Sequence, residues 1–125
     1  MTVLLDTRIL LWWLAKDDAL SAGAARIIRD GSNRVLVSAA SAWEIAIKRA
    51  LGKLSAPADL EAAVKQSHLE NLPISIRHAL TAGALPKHHA DPFDRMLVAQ
   101  ARWEGATLLT HDQRLLAYGE PVKLV

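Results

Sequence analysis

At 125 residues, 51% of them hydrophobic and 22% charged, the chain has the size and composition of one ordinary globular domain that buries roughly two-thirds of its unfolded surface. It contains no cysteine, which excludes a disulfide framework, a zinc ribbon or a thiol nucleophile and fits a reducing, cytoplasmic setting. The net charge of +2 permits nucleic-acid binding without demanding it, and the longest apolar run, Ile9 to Ala15, falls short of the roughly 18 residues that suggest a membrane span.

The chain opens on Val3 to Leu5, a short apolar run suited to a buried strand, and reaches a carboxylate at Asp6 with no basic stretch before it. That pattern does not read as a signal peptide. Helices are predicted from Arg8 to Ala15 and from Ser21 to Arg29. The turn signal Asp30-Gly31-Ser32-Asn33 then leads into a second strand, Arg34 to Val37. From Ala39 to Leu51 the spacing of Ala40, Trp43, Ile47, Ala50 and Leu54 is helical, with Gly52 placed to close it. A helix over Ala58–Ser67, an extended segment over Leu69–Ile74 and a helix over Arg77–Ala84 follow. The last third reads as a helix from Pro92 to Glu104, a strand from Thr107 to Leu109, a short helix from Asp112 to Tyr118 and an edge strand within Pro121–Val125. No repeat or long linker divides the chain. Alternation of this kind predicts an α/β fold, a parallel sheet with helices on both faces.

Open parallel sheets bind ligands beyond the carboxyl ends of their strands. Asp6 directly follows the first strand, Ser38 follows the second, and Glu44 lies two turns into the helix that leaves it. Asp112 follows the strand Thr107–Leu109, and Asp94 sits in the first turn of the helix opened by Asp91-Pro92. Each acid has a structural explanation of its own. Asp6 suits an N-cap, and Glu44 with Lys48 forms an i,i+4 pair. Asp91 as N-cap with Pro92 at N1 leaves Asp94 at N3, while Thr110-His111-Asp112-Gln113 reads as a capping box with Asp112 at N2. Independent caps, however, have no reason to share one rim.

Convergence of the four has a physical consequence. Two carboxylates ~4 Å apart repel by roughly 4 kcal/mol at an effective dielectric of about 20. Four together approach the whole stability of a domain, about 5–15 kcal/mol. Either protons or a cation must neutralise them. All-oxygen ligation suits Mg2+ or Mn2+ rather than zinc, and such a site can activate water and neutralise a phosphodiester.

The stretches LLDTRILLWWL, SAASAWEIAIKRALGKL, LPISIRHA, HHADPFDRMLVAQA and LLTHDQRLLAYG resemble, in matching order from residue 2 to about 119, those of PIN-domain proteins. Within that family they are most similar to the VapC-type toxins of prokaryotic toxin–antitoxin pairs; DPFDRMLVAQA is the most specific segment. The resemblance implies that residues 1–125 form a single PIN-like nuclease domain, a three-layer α/β fold with a central parallel sheet. It implies an endoribonuclease that uses Mg2+ or Mn2+, forms a homodimer and is inhibited by a small cognate antitoxin. By the same resemblance the catalytic, metal-binding acids fall on Asp6, Glu44, Asp94 and Asp112, and Thr7 and Thr110 match hydroxyl positions that line such sites. Ser38 is a further polar neighbour, and Arg8 departs from the smaller polar residue or His expected after Asp-Thr.

Other residues admit two readings. His88, His89 and His111 lie near acids, but no H-E-x-x-H spacing supports a zinc site, so a loop or RNA-contacting role is expected. Lys48, Arg49, Lys53, Lys87 and Arg95 are candidates for phosphate contact or for a solvated face. The helix Ile9–Ala15 is apolar all round, so a second helix or another chain must cover part of it. Trp43 and Trp103 fall at core-like helical positions. Two rival functions match parts of the pattern. A receiver-like signalling module that binds Mg2+ wants an acid pair after the first strand and a Lys after the last, and the chain has neither. A non-catalytic RNA-binding module would not need all four acids.

Overall fold

Val3, Leu4 and Leu5 are fully buried in the computed structural model, which describes residues 1–125. They belong to β1 (Thr2–Leu5), the middle strand of a five-stranded sheet with β2 (Arg34–Ser38), β3 (Glu70–Leu72), β4 (Thr107–Thr110) and β5 (Val122–Leu124). The order is β3-β2-β1-β4-β5 and every pairing is parallel. Helices α1 (Thr7–Ala15), α2 (Ala22–Arg29), α3 (Ala39–Ala50), α4 (Leu60–Gln66), α5 (Ile76–Ala84) and α6 (Pro92–Glu104) carry the crossovers, and a 3-10 helix spans Gln113–Tyr118.

Strand alternation divides the interior into two cores. Leu4, Leu36, Leu72 and Leu108 pack with Ala82 of α5 and with Leu97, Val98 and Ala101 of α6 on one face. Val3, Leu5, Val35, Val37 and Leu109 face the other way, onto Ile9, Leu10, Ile28 and Val64 of α1, α2 and α4. Helix α3 contributes to both, Ala40 to the first and Ile45 to the second. Each fully buried Leu, Ile or Val is worth about 1.5–3 kcal/mol, so a polar residue at any of these strand positions would unmake a layer. The predicted α/β class, with helices on both faces of a parallel sheet, is the observed one. From β1 the chain moves outward through β2 to β3, then crosses back to β4 and outward to β5. The direction of winding therefore changes between β1 and β4, where open α/β sheets form their ligand crevice.

Element ends follow local chemistry. Helix α6 keeps the bounds its sequence predicts. The Asp91 carboxylate accepts from the Phe93 and Asp94 amides at 2.8 and 3.3 Å, and Gly105 ends the helix with φ of 62°. The helix predicted over Ala58–Ser67 shortens to α4 because Asp59 serves as its cap, accepting from Ala62 N at 3.0 Å. The extended segment Leu69–Ile74 pairs only over Glu70–Leu72, since Pro73 has no N–H for the ladder. Asp112 does not stand at N2 of a capping box. It is itself the N-cap of the 3-10 helix, accepting from Arg114 N, while Thr110 Oγ1 accepts from Asp112 N.

Two tryptophans expected in the core are not there: Trp43 is 62% and Trp103 49% exposed. In α3 the buried stripe is Ala40, Ser41, Glu44 and Ile45, one position away from the equally helical Trp43–Ile47–Ala50 row. Helical periodicity cannot tell which of two adjacent rows faces inward. Trp43 meets Phe93 edge-on, and Trp103 donates to Thr81 Oγ1 beneath the Arg77 guanidinium. In α1 only Thr7, Ile9 and Leu10 are buried. Leu11, Trp12, Trp13 and Leu14 remain half-buried, so the second helix covers that apolar surface only in part.

Ser38 caps α3, accepting from Ala40 N, and donates to Gln100 Oε1 at 2.5 Å in a fully enclosed position. Ser38→Ala removes a cap worth about 0.5–2 kcal/mol and strands an acceptor at about 1–3 kcal/mol. The expected loss is about 2–4 kcal/mol, lowering the melting temperature by roughly 8 °C or more. Divalent-cation affinity of the folded variant is expected to stay unchanged, which thermal melts and a metal titration check together.

Candidate metal centre

Asp6, Glu44, Asp94 and Asp112 all line one open cleft of about 610 Å3 at the carboxyl ends of β1 and β4. They reach it from four different segments, and each is placed by its own local structure. The Asp6 amide donates to Leu109 O at 3.0 Å, tying the end of β1 to β4. The Asp6 side chain caps α1 by accepting from Ile9 N at 2.8 Å, and it accepts from Thr110 Oγ1 at 2.5 Å. Glu44 comes from the buried stripe of α3. Its Oε1 accepts from Thr7 Oγ1 at 2.6 Å and its Oε2 from Lys48 Nζ at 2.5 Å. The pairing with Lys48 expected from sequence is thus present, but around a buried carboxylate rather than on a solvated face.

The four acids divide by depth. Asp6 and Glu44 form an inner pair, each 5% exposed. Asp94 and Asp112 lie nearer the mouth, their side chains 18% and 25% exposed. Burial pushes the Asp6 carboxyl above its ordinary range, and Glu44 adds to the rise against the hydrogen bonds from Thr110 and Ile9. Burial also raises Asp94, to about 6, with Asp91, Asp6 and Glu44 adding repulsion and His89 partly offsetting it. Asp112 moves the other way, because the Arg114 guanidinium grips both of its oxygens at 2.8–3.2 Å.

The hydroxyls and histidines sort themselves. Thr7 and Thr110 hold Glu44 and Asp6, and Thr7 also lines the cleft. Ser38, expected as a polar neighbour, is not part of the cleft lining; its hydroxyl is turned into the interior toward Gln100. Arg8 lies on the cleft wall, 6.0 Å from the Trp12 ring, and His111 meets Trp12 edge-on. Among the cations proposed for phosphate contact, Lys48 and Lys53 line the cleft. Arg95 does not: its guanidinium donates to the carbonyls of Ala82, Leu85 and Pro86. Arg49 donates to Pro57 O.

His89, expected in a loop or RNA-contacting role, meets two of the acids. His89 Nε2 lies 2.9 Å from Asp94 Oδ2 and 3.8 Å from Asp112 Oδ2. The available signal was its position five residues before an acid at N3, where the preceding segment must turn across the helix N-terminus. Without an H-E-x-x-H spacing that signal was too weak to use.

The donor set suits a hard divalent cation. It offers carboxylate oxygens from separate elements, two of them on groups that burial makes reluctant to ionise alone. Each carboxylate meets a proton donor or cation, from Thr110, Thr7, Lys48, His89 or Arg114, and no buried polar side-chain atom is left without a partner.

A family model of the PIN domain matches residues 3–121. Over 123 residues, 96% of this chain and 94% of the relative, the sequence is 32% identical to Ribonuclease VapC22 of Mycobacterium tuberculosis. It is 45% identical over 58 residues to Ribonuclease VapC16 of the same organism, covering 45% of this chain and 41% of that one. The fold is similar to that in the crystal structure of VapBC2 from Rickettsia felis bound to a promoter DNA fragment, with a TM-score of 0.69, 18% identity and 100% and 98% of the two chains covered. It is similar as well to a toxin–antitoxin complex from Klebsiella pneumoniae, with a TM-score of 0.69, 17% identity and 97% and 95% coverage.

Proposed function

The chain belongs to the PIN-domain family, and from that premise we propose that it is a Mg2+- or Mn2+-dependent endoribonuclease, the toxin of a toxin–antitoxin pair. The observation that carries the reading is the meeting of Asp6, Glu44, Asp94 and Asp112 in one cleft at the switch point of the sheet. The relatives' names supply the substrate class, RNA.

Asp6, Glu44, Asp94 and Asp112 would hold the cation. When bound, it supplies acidified water and charge neutralisation at the phosphodiester. The chain's own groups fix the acids. Ile9 N–H and the Thr110 hydroxyl hold both oxygens of Asp6, and the Thr7 hydroxyl orients Glu44. Lys48 neutralises Glu44 and is placed to turn to a phosphate once that charge is met by the cation. Lys53, Arg8 and Arg114 line the same cleft and draw the polyanion against the repulsion of the acids.

The proposal extends to a single cytoplasmic domain that pairs with a second copy and with an antitoxin. Exposed Trp43 and Leu51 on and just after α3, and Ile76 and Leu80 on α5, offer apolar surface for such contacts. No helix is long and apolar enough to cross a membrane.

Incubation of total RNA with the purified protein should yield cleavage with Mg2+ or Mn2+ and none in EDTA; metal-independent or absent cleavage defeats the nuclease reading. Expression in a bacterial host should arrest growth unless the cognate antitoxin is co-expressed, while Asp6→Asn is tolerated. Normal growth with folded, cleavage-competent wild type would sink the toxin assignment and leave the nuclease one standing.

A further inference from the structure

We propose that His89 is itself a ligand of the cation, its Nε2 joining one oxygen each of Asp94 and Asp112 in a nitrogen–oxygen set that favours Mn2+ over Mg2+. The inference rests on the reading of the cleft as a metal centre and names a donor outside the four acids. Candidate ligand atoms of His89, Asp94 and Asp112 all lie within 4.8 Å of one another. The imidazole is only 9% exposed and is held against Asp94 and Asp112, two of the acids that line the cleft, rather than swinging in solvent.

The segment that presents His89 is fastened from below. Arg95 donates to Ala82 O, Leu85 O and Pro86 O at 3.0, 2.9 and 3.0 Å, fixing the path from the end of α5. Tyr118 Oη donates to the His89 carbonyl at 3.4 Å, and the His88 ring stands edge-on to Tyr118 at 5.1 Å. The side chains of Arg95 and Tyr118, which hydrogen-bond none of the four acids, thus hold the segment that carries the imidazole.

The contact between Nε2 and an ionised Asp94 Oδ2 calls for the ring proton on Nε2. Ligation requires the other neutral tautomer, with the proton on Nδ1 and the Nε2 lone pair free for the cation. Mg2+ takes oxygen donors and gains little from an imidazole, whereas transition ions accept it readily. The competing role for His89 is to orient Asp94 by a hydrogen bond alone.

Mn2+ and Mg2+ titrations of wild type and His89→Gln, with pulsed EPR of the Mn2+ complexes, separate these roles. Gln still reaches Asp94 with an N–H, and a metal-free melt checks that the variant is folded. The expected result is nitrogen coupling from a directly bound imidazole in wild type, kept in His111→Gln and lost in His89→Gln. Mn2+ affinity should fall at least about 10-fold in His89→Gln, the lower end of what removing even an outer partner of a metal ligand costs. Mg2+ affinity should change far less. Bound Mn2+ without nitrogen coupling, coupling that disappears with His111 instead, or equal weakening of both ions overturns the assignment and leaves the acid site standing. Failure of either ion to bind wild type would overturn the metal centre and His89's role with it.

Discussion

Asp6→Asn is expected to lower RNA cleavage at saturating Mg2+ or Mn2+ by at least about 100-fold without unfolding the protein. Metal ligation and charge stabilisation are worth several kcal/mol at the transition state, and each 1.36 kcal/mol is tenfold in rate. The substitution is structurally mild. Asn caps a helix as well as Asp does, so the bond from Ile9 N survives. The new amide N–H can donate to Thr110 Oγ1, reversing the present 2.5 Å bond. Asp94→Asn should be similarly inactive. Steady-state cleavage beside a circular-dichroism melt decides the matter: wild-type turnover by either folded variant would remove that residue from the site.

In EDTA near neutral pH, by contrast, Asp94→Asn is expected to melt above wild type. Burial and the neighbouring acids raise the Asp94 carboxyl from 3.8 to about 6 in the folded state. Its contribution to stability is then fully present below about pH 4 and is lost as pH rises through about 6. The rise corresponds to about 3 kcal/mol of destabilisation above that range. The bond to His89 is already contained in that rise, so only the helix-end benefit of an acid at N3, about 0.3–1 kcal/mol, stands against it. The net is about 2 kcal/mol in favour of Asn, a rise of roughly 8 °C. Metal-free wild type should also be more stable near pH 5 than near pH 7.5, with the difference reduced in the mutant. Adding Mn2+ reverses the order, since a ligand at about 100 times its Kd stabilises by about 2.7 kcal/mol and the mutant binds it less well. A mutant that melts lower than wild type in EDTA, with an equal response to Mn2+, would make Asp94 a helix-end acid and nothing more.

Local signals in the sequence determined most of the element order. The turn Asp30-Gly31-Ser32-Asn33, the Asp91-Pro92 start and the Gly105 stop act through a few neighbouring atoms, so they are legible without a fold. Strand alternation with helices gave the parallel sheet, and the position of Asp6 and Asp112 just past strands placed them on its carboxyl edge. Which row of α3 faces inward was not legible, because Trp43–Ile47 and Glu44–Ile45 share one period; contact with both cores selects the row that carries Glu44. Ser38 reads from sequence as a neighbour of the site but is a buried cap. A serine after a strand serves a site or a cap equally well, and only the arrival of Gln100 from α6 turns its hydroxyl inward. Arg95 and His89 show the remaining limit most directly. A cation near acids in sequence reads as a phosphate contact or a solvated face, and a histidine without motif spacing as a loop or RNA-contacting residue. Their partners lie at the end of α5, in the first turn of α6 and, for Asp112 and Tyr118, beyond β4, so the local path of the chain and the return of β4 to the sheet are both needed to join them. Asp6, Asp94 and Asp112 were legible as acids at the ends of their elements, whereas Glu44, inside α3, entered the set through the family resemblance. The charge each one bears, and the imidazole between two of them, depend on distances that only the tertiary structure sets.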